Sequence, residues 1–471
     1  MRHRALAAIF LLALVLRLAV VLALPRLPIG LDDMFQYDML ARSIVAGNGY
    51  RWYAQQDLRL VQRYVDMEPP PEYDPRGILT SFRAPLYPAF LALVYAVVGI
   101  GWQRLFAARL VQAWIGASLA PLAALLARQL GFSERAARWA AVAIAVFPLL
   151  IVYPMALVTE NLFIPLLALS LWAVLRAGKE QRWRDYALAG LFLGLTTLTR
   201  SIVALFVPIA ALWAWAIARP RWTGLLHGAL LFACFLLVTV PWSIRNTVLH
   251  GEFFFVESTL GYNLYMGYHP QSSGTFSADF SLDLVPILDD AERNRIGTEA
   301  AWYFIASDPG RVPYLMLRKL GYFWELDRRA FQYFYSNGFF GHWPSGVVVG
   351  VFVLLCLPLM VIAPAGLAGL AMTRPRRETV LVALLVLYYV GIHMLIMAES
   401  RFHLPLLPIL AALAAHAFVD RPDRCAARWQ KALALVLVLL LFANWSAELV
   451  RDWGLLGELV GPQGHRLRLS Y

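Results

Sequence analysis

Charged residues are scarce in this chain of 471 residues: 15% are charged, whereas 60% are hydrophobic. A soluble protein of this length needs polar faces on its helices, but runs such as residues 381–398 have almost none. These proportions, together with a mean hydropathy of +0.61, exclude an ordinary soluble enzyme. Because apolar runs of about 20 residues recur, the sequence predicts an all-α, polytopic membrane protein.

Nucleotide-binding motifs are also missing. The sequence contains neither a G-x-x-x-x-G-K-[ST] loop nor a Rossmann fingerprint, so a nucleotide-linked substrate is not expected. Its three cysteines have no metal-ligand spacing, so neither a disulfide framework nor a zinc site is predicted. The net charge is +11, but Lys and Arg lie mainly in short connectors between apolar runs, the positive-inside pattern. A nucleic-acid partner is therefore not expected.

The basic connectors set the predicted topology. They are placed in the cytoplasm, and the apolar runs between them predict about eleven spans, at 5–25, 105–127, 137–156, 158–175, 186–199, 201–218, 224–245, 346–371, 379–397, 402–419 and 431–447. The first span is interpreted as an uncleaved anchor with its basic end in the cytoplasm. Only one crossing fits between residues 26–86 and 128–138, so residues 87–101 are predicted to form a juxtamembrane helix at the periplasmic interface.

This topology divides the chain into three parts. Residues 1–245 form a transmembrane module that includes a first periplasmic loop, 26–104. Residues 246–345 form a larger periplasmic loop rich in aromatic residues, which is expected to pack on the membrane helices as a lid. Residues 346–471 supply the C-terminal transmembrane helices and a short tail.

Charged residues outside the cytoplasmic connectors gather at the predicted periplasmic ends of the spans. They are Asp32, Asp33, Arg83, Glu160, Arg200, Arg245, Glu399 and Arg401. Distant parts of the chain thus deliver carboxylates and guanidinium groups to one face, as in binding and catalytic sites between membrane helices.

Each of these residues also has a simpler interpretation. Either Asp32 or Asp33 could be the N-cap of a helix closed by Gly47, with Gln36 completing a pair like a capping box with Asp33. Glu160 could be a solvated carboxylate at the interface, and the arginines could extend to lipid headgroups. A cap role and a site role can coexist, and the sequence does not decide which aspartate has which.

The combination of arginines and carboxylates favours group transfer from a phosphate. A planar guanidinium offers paired donors to phosphate oxygens, and a nearby carboxylate can act as a general base on a hydroxyl. Since no nucleotide-binding region is predicted, a lipid-carried phosphate presented from the bilayer suits this architecture.

Seven stretches of the sequence, in their order along the chain, carry a family resemblance. They are LDDMFQYDMLARSIVAGNGY, FRAPLYPAFLALVYAVVG, VTENLFIPLLALSLWAVL, GLTTLTRSI, VPWSIRNTVLHGEF, GYNLYMGYHP and ESRFHLPLLPIL. Together they resemble the family 39 glycosyltransferases of the GT-C membrane fold, which include protein O-mannosyltransferases and bacterial aminoarabinose transferases that modify lipid A.

The resemblance implies a polyprenyl-phosphate-sugar donor and an inverting transfer on the periplasmic face of the bacterial inner membrane. It implies catalytic roles for Asp33, Asp32 and Glu160. It implies donor-phosphate binding by Arg83, Arg200, Arg245 and Arg401. No cofactor is required, and a divalent metal would be compatible although nothing in the sequence indicates one. Membrane lipids are expected neighbours, and the acceptor, whether glycan, lipid or protein, is left open.

Two other functions fit parts of the pattern. One is a polymerase or ligase that uses polyprenyl-diphosphate-linked oligosaccharides instead of a monosaccharide on a polyprenyl monophosphate. A lipid or sugar transporter would also have many spans, but transporters tend to place ionisable residues or broken helices near the midplane, often in paired halves. Most predicted spans here have uncharged centres, and the sequence shows no internal repeat.

Overall fold

The computed structural model describes residues 2–468, which form a helical bundle. Its α-helices, numbered α1 to α22 in chain order, are Arg2–Ala23, Asp33–Val45, Gln55–Val61, Leu86–Val98, Gln103–Ala117, Leu119–Gln129, Glu134–Ala145, Pro148–Val152, Glu160–Glu180, Trp183–Thr199, Phe206–Ile217, Arg221–His250, Leu260–Tyr268, Ala278–Ser281, Asp290–Ser307, Arg311–Phe323, Arg329–Ser336, Ser345–Met372, Arg377–Leu395, Leu407–Val419, Arg428–Arg451 and Trp453–Val460. Short 3-10 segments are Tyr153–Met155, Ser201–Val203, Ser400–Leu406, Pro422–Arg424 and Gly464–Arg466. Strands β1 (Arg51–Trp52) and β2 (Ile78–Leu79) form one antiparallel pair.

Eight helical stretches of the described chain are long and apolar enough to cross a membrane. They are Arg4–Ala23, Gln103–Gln129, Glu160–Glu180, Arg221–His250, Ser345–Met372, Arg377–Leu395, Ser400–Val419 and Arg428–Arg451. The prediction of a polytopic helical membrane protein is confirmed, whereas the number of about eleven spans stays a prediction. The two predicted spans at 186–199 and 201–218 correspond to α10, with 17 residues, and α11, with 12, which are short for a crossing.

The span predicted at 137–156 is broken in the structure. Helix α7 and the segment Pro148–Met155 meet at an angle of 55°. Proline has no N–H for the helical ladder and disfavours helical backbone in the residue before it, and Phe147 is accordingly extended. The break changes the direction of the chain shortly before Glu160, the first residue of α9.

Most of the apolar stretch 87–101 lies in α4 (Leu86–Val98), which has 13 residues and is therefore too short to cross, in line with the sequence prediction. The helix ends at Gly99, whose φ of 83° ends the helical backbone. Its buried face carries Tyr87, Leu91 and Tyr95, and it packs on α2 and α5. This packing places the first interhelical loop against the bundle.

The second long loop is mostly helical, from α13 to α17. Helix α16 packs against α19 and against the 3-10 segment Ser400–Leu406. Asp290, at the start of α15, accepts hydrogen bonds from the Thr80 hydroxyl at 2.6 Å and the Ser81 amide at 2.7 Å. The loop is thereby fixed to the bundle and to the chain that leads into Arg83.

Candidate active site

Asp32 is the N-cap of α2. Its Oδ1 accepts a hydrogen bond from the amide of Met34 at 2.8 Å, which satisfies one of the N–H groups left open at a helix start. The suggested pairing of Gln36 with Asp33 is wrong, because the Gln36 Oε1 accepts from Arg83 Nε at 2.8 Å. A buried guanidinium needs acceptors for its N–H groups, and Gln36 supplies one of them.

Asp33 follows the cap and is held by two arginines. It accepts hydrogen bonds from Arg83 and, at 3.3 Å, from Arg401 Nη2. Burial alone would raise the pKa of this carboxyl, but Arg83, Arg401 and Arg200 outweigh burial and lower the pKa to about 2. Asp33 is therefore a firmly ionised anchor for guanidinium groups.

The environment of Asp32 has the opposite effect. Burial, and then the neighbouring charge of Asp33, raise the pKa of Asp32 above its ordinary value. The amide of Met34 and the hydroxyl of Tyr333, which donates to Asp32 Oδ2 at 3.2 Å, act against that rise. The two adjacent aspartates thus differ in basicity because their charged neighbours differ.

Glu160 is the second acidic member of the site and is almost fully buried. Its Oε1 accepts from Arg200 Nη1 at 2.8 Å and lies 3.8 Å from Arg401 Nε. Arg200 is the C-cap of α10, and its guanidinium lies over the rings of Phe163 and Phe402 at 5.6 and 5.0 Å. These rings keep the cation at the wall of the site.

Arg401 joins the two acidic positions. It lies in the 3-10 segment Ser400–Leu406 and contacts both Asp33 and Glu160. Its Nε also lies 2.8 Å from Glu399 Oε2. The sequence prediction that residues distant along the chain meet at one place is therefore confirmed for Asp33, Glu160 and Arg401.

Arg245 is the one predicted site arginine that lies outside this cluster. Its Nη1 donates to the carbonyl oxygen of Thr80 at 2.6 Å and to Asn246 Oδ1 at 3.0 Å, and its guanidinium lies 4.9 Å from the Trp242 ring. It supports the chain just before Arg83.

Two residues of the site, Glu257 and Tyr333, were not predicted from the sequence. Glu257 accepts a hydrogen bond from the Ser201 hydroxyl at 2.5 Å and faces the same cavity. Tyr333 reaches Asp32 from α17, about 300 residues further along the chain. Both lie in aromatic-rich stretches of the second loop, where the sequence gives no signal that separates a site residue from an interfacial one.

A single cavity of about 820 Å³ connects these groups. One wall carries Asp32, Asp33, Arg83, Glu160, Glu257, Arg200 and Arg401. Another wall is apolar and is built by α1 and the residue that follows it, α8 and α18, with the side chains Val20, Leu24, Leu149, Val152, Val351 and Leu354. The cavity can therefore accept a molecule that has both an anionic group and a hydrocarbon part.

A second cluster of charged residues lies apart from this cavity, where α17 meets the end of α21. Its members are Glu325, Arg328, Arg329, Glu448, Arg451 and Asp452. Ligand oxygens of its three carboxylates lie within 4.8 Å of one another, a separation that a metal ion could bridge. Arginine side chains already contact each of these carboxylates, so their charge is compensated within the protein.

Comparisons with known proteins agree with this architecture. Residues 82–244 match the family model described as dolichyl-phosphate-mannose-protein mannosyltransferase. A segment of 70 residues, 15% of the chain, is 39% identical to an undecaprenyl phosphate-alpha-4-amino-4-deoxy-L-arabinose arabinosyl transferase of Enterobacter sp. (strain 638), and it covers 12% of that protein. The predicted family resemblance is confirmed.

A solved structure shares the fold. The apo crystal structure of the oligosaccharyltransferase of Archaeoglobus fulgidus aligns with a TM-score of 0.52 and 14% identity, over 93% of this chain and 56% of that chain. ArnT from Cupriavidus metallidurans bound to undecaprenyl phosphate aligns with a TM-score of 0.49 and 16% identity, over 98% of this chain and 74% of that one. The chain thus spans about half the length of the oligosaccharyltransferase. The predicted GT-C type of fold is confirmed.

Proposed function

We propose that this chain is a membrane glycosyltransferase that moves a sugar from a polyprenyl phosphate to a hydroxyl or phosphate of an acceptor, with inversion. The observation that carries the proposal is the cavity, which places Arg83, Arg200 and Arg401 and the carboxylates that they contact beside an apolar wall. An amphiphilic substrate with an anionic head fits these two walls together. The family model and the curated relative both have polyprenyl phosphates in their names, which supports the same donor class.

Arg83, Arg200 and Arg401 are the donor-phosphate ligands in this proposal. Each already contacts a carboxylate in the cavity: Arg83 and Arg401 contact Asp33, and Arg200 contacts Glu160. A guanidinium has five N–H groups, so it can keep a carboxylate partner and still donate to a phosphate oxygen. Asp33 and Glu160 then serve mainly to hold the arginines at the correct distance from the phosphate.

Asp32 is the better general base of the two aspartates. A general base works best when its pKa approaches the working pH, and the pKa is raised at Asp32 but lowered to about 2 at Asp33. The Oδ1 of Asp32 is engaged by the helix cap, whereas Oδ2 faces Tyr333 and the cavity. Oδ2 is the oxygen that takes the acceptor proton.

The reaction is a single displacement at the anomeric carbon. The acceptor oxygen forms the new bond while the bond to the phosphate oxygen breaks, the acceptor proton passes to Asp32, and the lipid phosphate departs. The arginines stabilise the negative charge that develops on the leaving phosphate. Because guanidinium groups supply this positive charge, the scheme needs no metal ion.

The site is proposed to face the periplasm of the bacterial inner membrane. Glu160 begins α9, and Lys179, in the last turn of the same helix, approaches the carbonyl oxygen of Arg128 at 3.5 Å. The connector at Ser133 in turn meets Asp420 at 3.2 Å. The basic connectors therefore meet at the end of the bundle opposite the site, and the positive-inside rule assigns that end to the cytoplasm.

A panel of labelled donors tests the proposal. Membranes containing the protein, and matched membranes without it, are given polyprenyl monophosphates that carry different labelled sugars, and the labelled lipid, protein and glycan fractions are counted. We expect one monosaccharide donor to label one fraction. Labelling only from a polyprenyl-diphosphate oligosaccharide would instead indicate the polymerase or ligase, and movement of intact donor across vesicles without transfer would indicate the transporter.

A further inference from the structure

Helix α5 carries two polar side chains, Arg109 and Gln112, that are fully buried inside a membrane-spanning stretch. Polar groups at membrane depth are costly and usually have a function or a specific partner. Neither residue lines the cavity, and neither has a role in the transfer step described above. They lie three residues apart, so they share one face of the helix.

Arg109 binds the two chain segments that precede Asp32 and Glu160. Its Nη1 and Nη2 donate to the carbonyl oxygens of Leu27 and Pro28 at 2.6 and 3.4 Å, on the loop that leads into Asp32. Its Nε donates to the carbonyl oxygen of Met155 at 2.9 Å, on the turn that leads into Glu160. One guanidinium thus joins the two loops.

Gln112 continues this contact on the same face. Its Nε2 donates to the carbonyl oxygens of Pro154 and Ala156 at 2.9 and 3.2 Å, on the turn before Glu160. Its Oε1 accepts from the hydroxyl of Tyr87 at 2.6 Å, one helical turn after Arg83. The amide therefore connects the turn to the helix that follows Arg83.

We infer that Arg109 and Gln112 are positioning residues that set the distances among Asp33, Glu160 and Arg83. The carbonyl oxygens that they bind lie in loops and at the end of the short 3-10 segment Tyr153–Met155, where no helical ladder continues to satisfy them. A planar guanidinium accepts only a narrow range of positions for three oxygens at once, so the two loops are held in one register. The effect on catalysis rests on the proposed function, whereas the effect on the loops does not.

Arg17 offers a matched control. It is also fully buried in a span and also donates to carbonyl oxygens, at Ala13, Ile144 and Ala145. Those carbonyls lie in helices and not on the loops before the acidic residues. If activity falls only because a buried guanidinium has been removed, Arg17→Lys and Arg109→Lys should therefore lose activity equally.

The experiment compares these two variants by mass-spectrometric hydrogen exchange and by transfer kinetics. For Arg109→Lys we expect faster exchange confined to residues 29–36 and 156–161 and a fall in kcat of about tenfold, since small misplacements of catalytic groups are costly. For Arg17→Lys we expect no faster exchange in those two segments and kcat within about twofold of wild type. Equal changes in the two variants, or unchanged exchange in both segments for Arg109→Lys, would overturn the inference.

Tyr87→Phe keeps the test decisive if Arg109→Lys does not fold. It removes one hydroxyl, so the link between Gln112 and the helix after Arg83 is lost while the fold is retained. We expect a higher donor KM with little change in kcat, because only Arg83 loses its support; an unchanged KM would contradict the inference. If the wild-type protein shows no transfer, the proposed function fails. The positioning role is then still decided by hydrogen exchange in Arg109→Lys. If that variant does not fold, hydrogen exchange in Tyr87→Phe decides it.

Discussion

The molecule contains two charged clusters with the same composition and very different surroundings. The cavity cluster joins Asp33, Glu160 and Glu399 with Arg83, Arg200 and Arg401. The α17–α21 cluster joins Glu325, Glu448 and Asp452 with Arg328, Arg329 and Arg451. Each therefore has three carboxylates and three guanidinium groups.

Access to a cavity distinguishes the two. In the α17–α21 cluster the central Arg328 is 3% exposed and contacts Glu448 and Asp452 directly. In the cavity cluster Arg83, Arg200 and Arg401 line the cavity of about 820 Å³, whereas no member of the α17–α21 cluster does. Paired charges alone thus indicate a structural network, and paired charges beside an apolar cavity indicate a binding site.

The largest expected effect comes from replacing the proposed base. Asp32→Asn should lower kcat by about 10² to 10⁴, the usual contribution of a general base. Asp33→Asn should lower it less, because Asp33 holds arginines and takes no proton. Transfer rates are measured in membranes that retain the folded protein. Full transfer by both variants would refute the assignment of this acidic pair to the site.

Arg328→Met tests the structural side of the comparison. It leaves Glu448 and Asp452 without their shared partner, and an uncompensated buried charge costs about 3–5 kcal/mol of the free energy of unfolding. We expect a lower unfolding midpoint in detergent, with kcat per folded molecule close to wild type. Adding Glu448→Met should recover part of the stability, since it removes one of the stranded charges. A loss of kcat without a loss of stability would mean that this cluster also belongs to the active site.

Arg83→Lys examines the cavity cluster with a smaller change. Lysine keeps the charge but cannot contact Asp33, Gln36 and a phosphate together. We expect the KM for the donor to rise about tenfold, which corresponds to about 1.4 kcal/mol of binding.

Arg245→Lys is the matched control for this variant, because Arg245 lies outside the cavity lining and a lysine can still donate to the carbonyl oxygen of Thr80. We expect its donor KM to stay within about twofold of wild type. An equal rise in both variants would favour the sequence-based assignment of Arg245 to the phosphate site.

The sequence predicted the acidic and basic residues of the cavity cluster better than the arrangement of the helices. Asp33, Glu160 and Arg401 were found because ionisable residues at span ends stand out against apolar segments. Tyr333 was missed because an aromatic residue is ordinary in such a loop, and Gln36 was paired with Asp33 although it accepts from Arg83. The broken span before Glu160 was missed because the hydrophobic run continues through Pro148, and hydropathy does not register a change of direction.

Arg109 and Gln112 show a further limit of sequence analysis. Their partners are backbone carbonyl oxygens on separate loops, which the sequence cannot pair with any side chain. In the α17–α21 cluster, likewise, Arg328 and Glu448 are 120 residues apart. Contacts of this kind depend on how helices pack, and periodicity and charge patterns contain no information about it.

Tyr333→Phe has the smallest expected effect. Its residue lies on α17, which contributes to the α17–α21 cluster, and contacts Asp32 at the cavity. Tyr333 donates to Asp32, and this hydrogen bond lowers the pKa of Asp32. Without the hydroxyl the pKa rises, so Asp32 stays protonated to higher pH and cannot accept a proton. The acid limb of the kcat profile should move up by about one pH unit, the equivalent of one hydrogen bond to a charged group.

The same profile shows whether the α17–α21 cluster supports the site. Helix α17 begins at Arg329, next to Arg328, and carries Tyr333. If the cluster holds α17 in place, Arg328→Met should shift the acid limb in the same direction as Tyr333→Phe, but by less. If the acid limb shifts in Tyr333→Phe but not in Arg328→Met, the cluster stabilises the fold without changing the pKa of Asp32. A limb unmoved in both variants would contradict the assignment of Asp32 as that base, because its hydrogen bond to Tyr333 would then have no effect on catalysis.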